Sequence, residues 1–451
     1  MPHSPLLIVI LAAGKGVRMR SSLAKVLHGV GGRSMLGHVL ATANEAGASK
    51  IALVVAPGQD KVRAEAAKAA PDVAIFEQTT QAGTADAVLA AAPAIAAHQG
   101  DTIVMFADTP LIRPQTLRDM IAVLDAGAAV SVLGFEPDDP TGYGRVLRDD
   151  SGAVTAIREQ KDATEAERAV RLCNAGAMAF RVPQLLDLLQ AIDNKNAASE
   201  FYLTDAVGLA RQRGLPVRVA VGSVEDAMGV NSRVQLAEAE AVFQQRARIR
   251  AMEAGATLVA PETVWFSFDT RLGQDVTIEP NVVFGPGVTV EDEVTILANC
   301  HITGAVIRKG ARVGPFTRLR PGADLGEGAH VGNFVEVKAA VLEKGAKANH
   351  LAYLGDGHIG ADANIGAGTI FCNYDGFDKH RTIIGKGAFV GSNSALVAPV
   401  TIGDGAYVGS GSVITRNVEP DSLVVERAPL EVRPGWAAKY RQMKLRRKGR
   451  S

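Results

Sequence analysis

The chain has 451 residues, 48 Lys and Arg against 48 Asp and Glu, 47 glycines, three cysteines and 5% aromatic residues. This length accommodates two or three domains, and the charge balance excludes an overall basic nucleic-acid binder. Cys173, Cys300 and Cys372 form no CxxC pair, which excludes a disulfide framework, and no apolar run reaches membrane-spanning length.

In chain order, Leu6–Leu11 is a continuous apolar run of strand length, suited to a strand buried on both faces and too short for a signal peptide. A Gly-rich turn follows, then a helix capped by Ser34, with Met35, Leu36, Val39, Leu40 and Ala43 on one face and Gly47 past its end. Ile51–Val55, Thr102–Phe106 and Val130–Phe135 are further strands separated by helical stretches. This alternation predicts an α/β domain over residues 1–231, Rossmann-like with a mostly parallel sheet. One long helix, with Ser232 and Gln235 as a capping box and Gly255 as its stop, forms a connector over 232–255.

The turn Leu11-Ala12-Ala13-Gly14-Lys15-Gly16-Val17-Arg18-Met19 brings backbone N–H groups and Arg18 within reach of phosphate oxygens. It is neither a Walker A loop nor a dinucleotide fingerprint. With Lys25 downstream, the string resembles the signature of sugar-1-phosphate nucleotidyltransferases. Asp108, just past a strand, also reads as a turn or helix cap. The resemblance implies that it binds Mg²⁺ together with Asn231, itself a neighbour of a helix N-cap. It further implies uracil contacts at Gln78, Gly83 and Thr84, and sugar contacts at Gly144, Glu159 and Asn174. Mg²⁺, Arg18 and Lys25 would offset the repulsion between a sugar phosphate and a nucleoside triphosphate.

From Ile278 the period is six: Ile278, Phe284, Val290, Ile296 and Ile302 are spaced by hexads, and the series runs on with occasional five-residue steps to Ile414, giving 23 hexads. Such a period fits a parallel β-helix whose short sides each turn one apolar residue inward. The domain is set at residues 256–432, with a protruding loop where the series jumps from Phe371 to Ile384. A basic tail over 433–451 carries Lys439, Arg441, Lys444, Arg446, Arg447, Lys448 and Arg450, read as a solvated, partly disordered end.

Polar residues gather at two breaks in this repeat. They lie in Arg318-Leu-Arg320, Gly332-Asn333 to Lys338, His350-Leu-Ala-Tyr353-Leu-Gly-Asp356 and Cys372-Asn373-Tyr374-Asp375-Gly376. Lys338, Tyr353, Asn373 and Tyr374 are expected to converge on His350 across adjacent coils. With these motifs the chain, from Leu11 to about Trp436, resembles the bacterial bifunctional N-acetylglucosamine-1-phosphate uridyltransferase / glucosamine-1-phosphate acetyltransferase family.

That resemblance implies a left-handed β-helix assembled as a homotrimer. It implies acetyl transfer from acetyl-CoA to glucosamine-1-phosphate, then uridylyl transfer from UTP. His350 matches the general base, a role that suits an imidazole. Arg320, Lys338, Tyr353 and Asn364 match sugar-phosphate contacts, and Ala367, Asn373, Tyr374, Ser392, Ser410 and Arg427 match acetyl-CoA contacts. One departure stands at Ser410, where the family pattern has Ala. An acetyl-cysteine route through Cys372 is disfavoured, since direct transfer needs only a base. A single-activity nucleotidyltransferase with a regulatory β-helix leaves His350 to Asp356 unexplained, and a purely structural scaffold leaves Arg18 and Asp108 idle. The expected setting is the cytoplasm, with small-molecule partners and neither nucleic acid nor membrane.

Overall fold

The computed structural model describes residues 4–14, 16–181 and 184–448, so the expectations for Lys15 and Arg450 lie outside the described residues. The chain forms two compact units, 1–247 and 248–451.

In the first unit the run Leu6–Leu11 is a strand buried along its length. Its alternate residues enter two separate cores, with Leu7, Val9 and Leu11 in one and Leu6, Ile8 and Ile10 in the other. The sheet therefore has an apolar layer on each face, as its near-continuous hydrophobicity requires. The strand order is Val217–Val221, Val130–Phe135, Cys173–Arg181, Asp101–Phe106, Leu6–Leu11, Lys50–Val55 and Ala74–Glu77. Cys173–Arg181 runs antiparallel to both neighbours; the other pairings along this path are parallel. Leu6–Leu11 pairs with Lys50–Val55 on one side and Asp101–Phe106 on the other. The winding reverses there, opening a crevice beyond the carboxyl end of this strand.

The helix after the turn spans Met35–Glu45, its Ser34 hydroxyl accepting from the Gly37 N–H at 2.9 Å. The long helix spans Arg233–Glu253. Its cap differs from the expected box. Ser232 Oγ accepts from the Gln235 N–H, but the Gln235 side chain accepts from the Asn231 N–H, one residue earlier. Nor is the helix only a connector, because Arg233 reaches Met19 and His28, Glu240 accepts from Gly31 N–H, and Arg246 reaches Leu111 and Asp226.

The second unit is a β-helix with its strands in parallel ladders. Thr277 pairs with Thr295 and Thr295 with Arg312, so one coil takes 18 residues, or 17 where a five-residue step intervenes. The inward residues from Ile278 to Ile414 are all buried. Glu336–Leu342 and Tyr353–Ile359 pass from one face to the next as continuous strands. Both contain a five-residue step and turn the corner at one left-handed residue, Ala339 at φ +46° and Asp356 at φ +50°. The shaft starts earlier than the six-residue series, since Thr257–Leu258 and Arg271–Leu272 already pair into it. The 3₁₀ turn Pro261–Thr263 interrupts the period there and conceals the first coil.

The basic tail departs from the expected disordered end. It forms a helix, Trp436–Lys448, with Trp436 and Tyr440 stacked. Gly435 precedes a run of Ala, Lys, Arg, Gln, Met and Leu, all good helix formers.

Candidate functional sites

The crevice of the first unit holds a cavity of about 500 Å³ lined by Leu11, Ala12, Ala13, Gly14, Lys25, Gln78, Gly83, Thr84 and Asp108. These nine sequence-selected positions come from five separate segments that meet at the switch point. The Lys25 ammonium forms an ion pair with the Asp108 carboxylate and donates to Asn231 Oδ1 at 2.8 Å. One cationic centre thus already sits between the two expected metal ligands. Arg18 does not line the cavity; it is exposed on the short helix Val17–Met19, with no hydrogen bond or ion pair among the described residues.

The Gln78 amide holds the far wall, donating to the Gly83 carbonyl at 3.0 Å and to Asp86 Oδ2 at 2.7 Å. Gly83 lies against the Phe201 backbone, where a Cβ would stand 2.5 Å from its carbonyl oxygen at φ +134°. Only glycine fits there. Phe106, Gln81 and Glu200 also line the cavity and were missed in the sequence, which offers no motif for them.

Gly144, Glu159 and Asn174 form a neighbouring group. A Cβ on Gly144 would meet the Glu159 carboxylate at 3.3 Å, and the Asn174 N–H donates to the Gly144 carbonyl at 2.8 Å. Burial raises the Glu159 pKa, Asp162 and Asp205 add to the rise, and a Thr204 hydrogen bond opposes it. The strand carrying Asn174 bulges between Asn174 and Met178, and its Gly176 packs on the Phe106 ring that lines the cavity.

On the β-helix, His350 is exposed and its Nδ1 lies 2.7 Å from Asn333 Oδ1, its register partner one coil earlier. An amide oxygen can only accept, so Nδ1 carries the proton and Nε2 keeps its lone pair. Asn333 was quoted in the sequence but given no role; its 17-residue offset from His350 is the signal that pairs them.

The expected convergence of Lys338, Tyr353, Asn373 and Tyr374 on His350 does not occur. Three of them gather around Asp356 instead. Lys338 Nζ pairs with Asp356 at 3.2 Å, and Asn373 Nδ2 reaches both Asp356 and Tyr353. The Tyr374 hydroxyl donates to Gly376 within its own loop. The reason is geometric: the chain turns a corner at Leu351, in the left-handed region at φ +52°, so His350 and Tyr353 belong to different faces.

Lys379, which sequence reasoning missed, faces Lys338 from the protruding loop. The Lys338 ammonium beside it holds Lys379 below the usual lysine pKa. Lys338, paired with the Asp356 carboxylate, is held above it. Arg320, bound to Glu336 at 2.8 Å, also lowers the Lys379 pKa by its charge. Arg318, which also pairs with Glu336 at 3.7 Å, joins Arg320, Lys338 and Lys379, so four cations share a small region with two carboxylates, which suits a dianionic group.

Asn364 stands on the face of His350, pairing with Lys347 and Phe389. Ala367, Ser392 and Ser410 stack along one edge, since Asn393 N–H donates to Ala367 and Gly411 N–H to Ser392. The coils approach so closely there that a Cβ on Gly391 would stand 2.5 Å from Ser410 N. Arg427 donates to the Ser410 carbonyl at 3.0 Å. Ser410 thus contributes its backbone to that contact. Cys372 donates weakly to Ile370 on its own strand, and no histidine or carboxylate bonds it among the described residues.

Residues 8–172 match the family described as the MobA-like NTP transferase domain, and residues 269–304 and 381–416 match the bacterial transferase hexapeptide (six repeats). Curated proteins called "Bifunctional protein GlmU" are similar along the whole chain. The one from Azorhizobium caulinodans is 58% identical over 441 residues, covering 98% of both chains. That from Xanthobacter autotrophicus is 57% identical with 100% of both covered, and that from Sphingopyxis alaskensis is 51% identical over 99% of this chain and 98% of its own.

Proposed function

The chain belongs to the family of bifunctional GlmU proteins, and on that premise we propose how its two sites divide the work. It is a bifunctional transferase. It moves an acetyl group from acetyl-CoA to glucosamine-1-phosphate, then a uridylyl group from UTP to N-acetylglucosamine-1-phosphate, releasing pyrophosphate. The product, UDP-N-acetylglucosamine, feeds peptidoglycan and lipopolysaccharide synthesis.

In the acetyl site, His350 is the general base. Asn333 fixes its tautomer, so Nε2 takes a proton from the glucosamine amine as that nitrogen attacks the thioester carbon and the CoA thiolate leaves. Arg320, Lys338, Tyr353 and Asn364 hold the sugar phosphate, with Lys379 completing the cationic group. Ala367, Ser392, Ser410 and Arg427 hold acetyl-CoA along the stacked edge, and Asn373 and Tyr374 hold it from the start of the protruding loop. The His350–Asn333 pair carries this assignment.

In the uridylyl site, the Leu11–Gly14 turn, Gln78, Gly83 and Thr84 receive the nucleotide, while Gly144, Glu159 and Asn174 face the sugar. Asp108 and Asn231 suit Mg²⁺. Their side-chain oxygens converge on one ammonium, and hard oxygen donors completed by phosphate oxygens are what this ion takes. Bound there, Mg²⁺ would neutralise charge on the triphosphate. Lys25 and Arg18 would supply the positive charge that faces the phosphates. The sugar phosphate oxygen attacks the α-phosphorus directly, and no protein nucleophile is needed.

The assembly proposed is a homotrimer. Phe316, Phe334 and Leu351 form a corner ridge on successive coils, 50%, 55% and 59% exposed, each at left-handed φ. Backbone strain spent on exposed apolar side chains is explained if another copy covers them. A second copy would also complement an acetyl site that one chain splits across a corner. Among the described residues no helix is long and apolar enough to cross a membrane. Use of UTP and acetyl-CoA supports a cytoplasmic setting. Assaying purified protein with acetyl-CoA, glucosamine-1-phosphate and UTP, leaving out one at a time, tests the reading. Pyrophosphate release from glucosamine-1-phosphate that does not depend on acetyl-CoA would contradict the order of steps.

A further inference from the structure

One buried charge cluster in the N-terminal unit takes part in neither site. The Asp226 carboxylate is fully buried. Arg113 Nε donates to its Oδ1 and Oδ2 at 3.0 Å each, Arg246 Nη2 donates to Oδ1 at 2.8 Å, and the Thr116 hydroxyl donates to Oδ2. Arg246 also uses its other arm, Nη1 donating to the Leu111 carbonyl at 2.7 Å. Leu111 follows Asp108 on one loop, and Asp226 precedes Asn231 on another. The same two segments are stitched a second time where the Val230 N–H donates to the Asp108 carbonyl at 2.9 Å. Asn231 is further held by Gln235, which accepts from its N–H at 2.9 Å.

We propose that the Arg246–Asp226–Arg113 cluster is a positioning device that sets the separation of the Asp108 and Asn231 side chains for a divalent cation. The proposal rests on the metal reading above. Arg246 binds both ligand-bearing segments at once, so loss of Asp226 removes one of the two ties between them and leaves only the Val230–Asp108 backbone bond. Stability alone does not call for such a cluster, because a buried carboxylate and the arginines that pair with it, here 56% and 28% exposed, can often be replaced by apolar residues without loss. What charged, directional bonds add is a fixed geometry. Mg²⁺ tolerates little departure from its short octahedral bonds, and residues behind the ligands typically tune metal affinity about 10- to 100-fold.

The test uses the full chain carrying Asp226→Asn or Arg246→Lys, with Mn²⁺ as the paramagnetic probe. Electron paramagnetic resonance measures Mn²⁺ binding in the presence of UTP, calorimetry measures UTP binding in a chelator and thereby reports that the N-terminal unit is folded, and acetyl transfer reports the β-helix of the same chain. In both variants Mn²⁺ affinity falls about 10- to 100-fold, while metal-free UTP binding and acetyl transfer stay at wild-type level. Arg246→Lys keeps the charge and loses one arm, so it carries the test if Asp226→Asn does not accumulate. Unchanged Mn²⁺ affinity in a folded variant would overturn the proposal. An equal loss of metal-free UTP binding would overturn it too, reducing the cluster to a structural tie. A wild-type chain that binds no Mn²⁺ with UTP would instead remove the underlying metal reading.

Discussion

The two sites treat charge in opposite ways. In the N-terminal crevice the key ions are already paired within one chain, where Lys25 spans Asp108 and Asn231 at the floor of a cavity. On the β-helix, Arg318, Arg320, Lys338 and Lys379 lie along an open wall with two cations in excess, and His350 stands beyond a corner from them. A doubly wound sheet makes its own crevice where the winding reverses. A shaft of stacked coils has no such crevice, so its groups lie on loops and corners, where the proposed trimer would add a neighbouring copy.

This contrast can be broken at several points. Asp108→Ala removes the only carboxylate of the proposed metal pair. Uridylyl transfer should fall by about a hundredfold or more with acetyl transfer unchanged, read as pyrophosphate and CoA release from the same preparation. Phe334→Glu charges the exposed ridge and should dissociate the trimer in sedimentation, costing most of the acetyl transfer while the self-contained crevice keeps its rate. Asn333→Ala releases the His350 tautomer and should lower kcat for acetyl transfer by about tenfold, with KM for glucosamine-1-phosphate little changed.

The smallest effect concerns pH. Lys379 loses its proton at lower pH than an ordinary lysine because Lys338 faces it. Glucosamine-1-phosphate affinity should therefore weaken as pH rises through a range below the usual lysine value. Lys379→Arg, which stays charged, should shift that weakening to higher pH.

Much of this was legible in the residues. The six-residue series from Ile278 to Ile414 marks inward positions directly, because each coil must bury one apolar residue per face. Leu6–Leu11, the Ser34 cap and Gly47 likewise needed no tertiary information. The first coil escaped because Pro261–Thr263 breaks the period. The pairing of Asp108 with Asn231 came from the family resemblance alone, because spacing could not give it. Asp108 and Asn231 lie 83 and 206 residues along the chain from the lysine that joins them, and only the sheet order brings them together. The expected cluster at His350 failed because hexad counting does not say which side of a corner a side chain faces. Lys379, on a loop outside any period, had no sequence signal at all.

The central claim is two independent reactions on one chain, and His350→Ala tests it most directly. Purified variant should release no CoA above background with acetyl-CoA and glucosamine-1-phosphate, yet release pyrophosphate from UTP and N-acetylglucosamine-1-phosphate at close to the wild-type rate. Loss of both activities in a folded trimer, or retention of acetyl transfer, would contradict it.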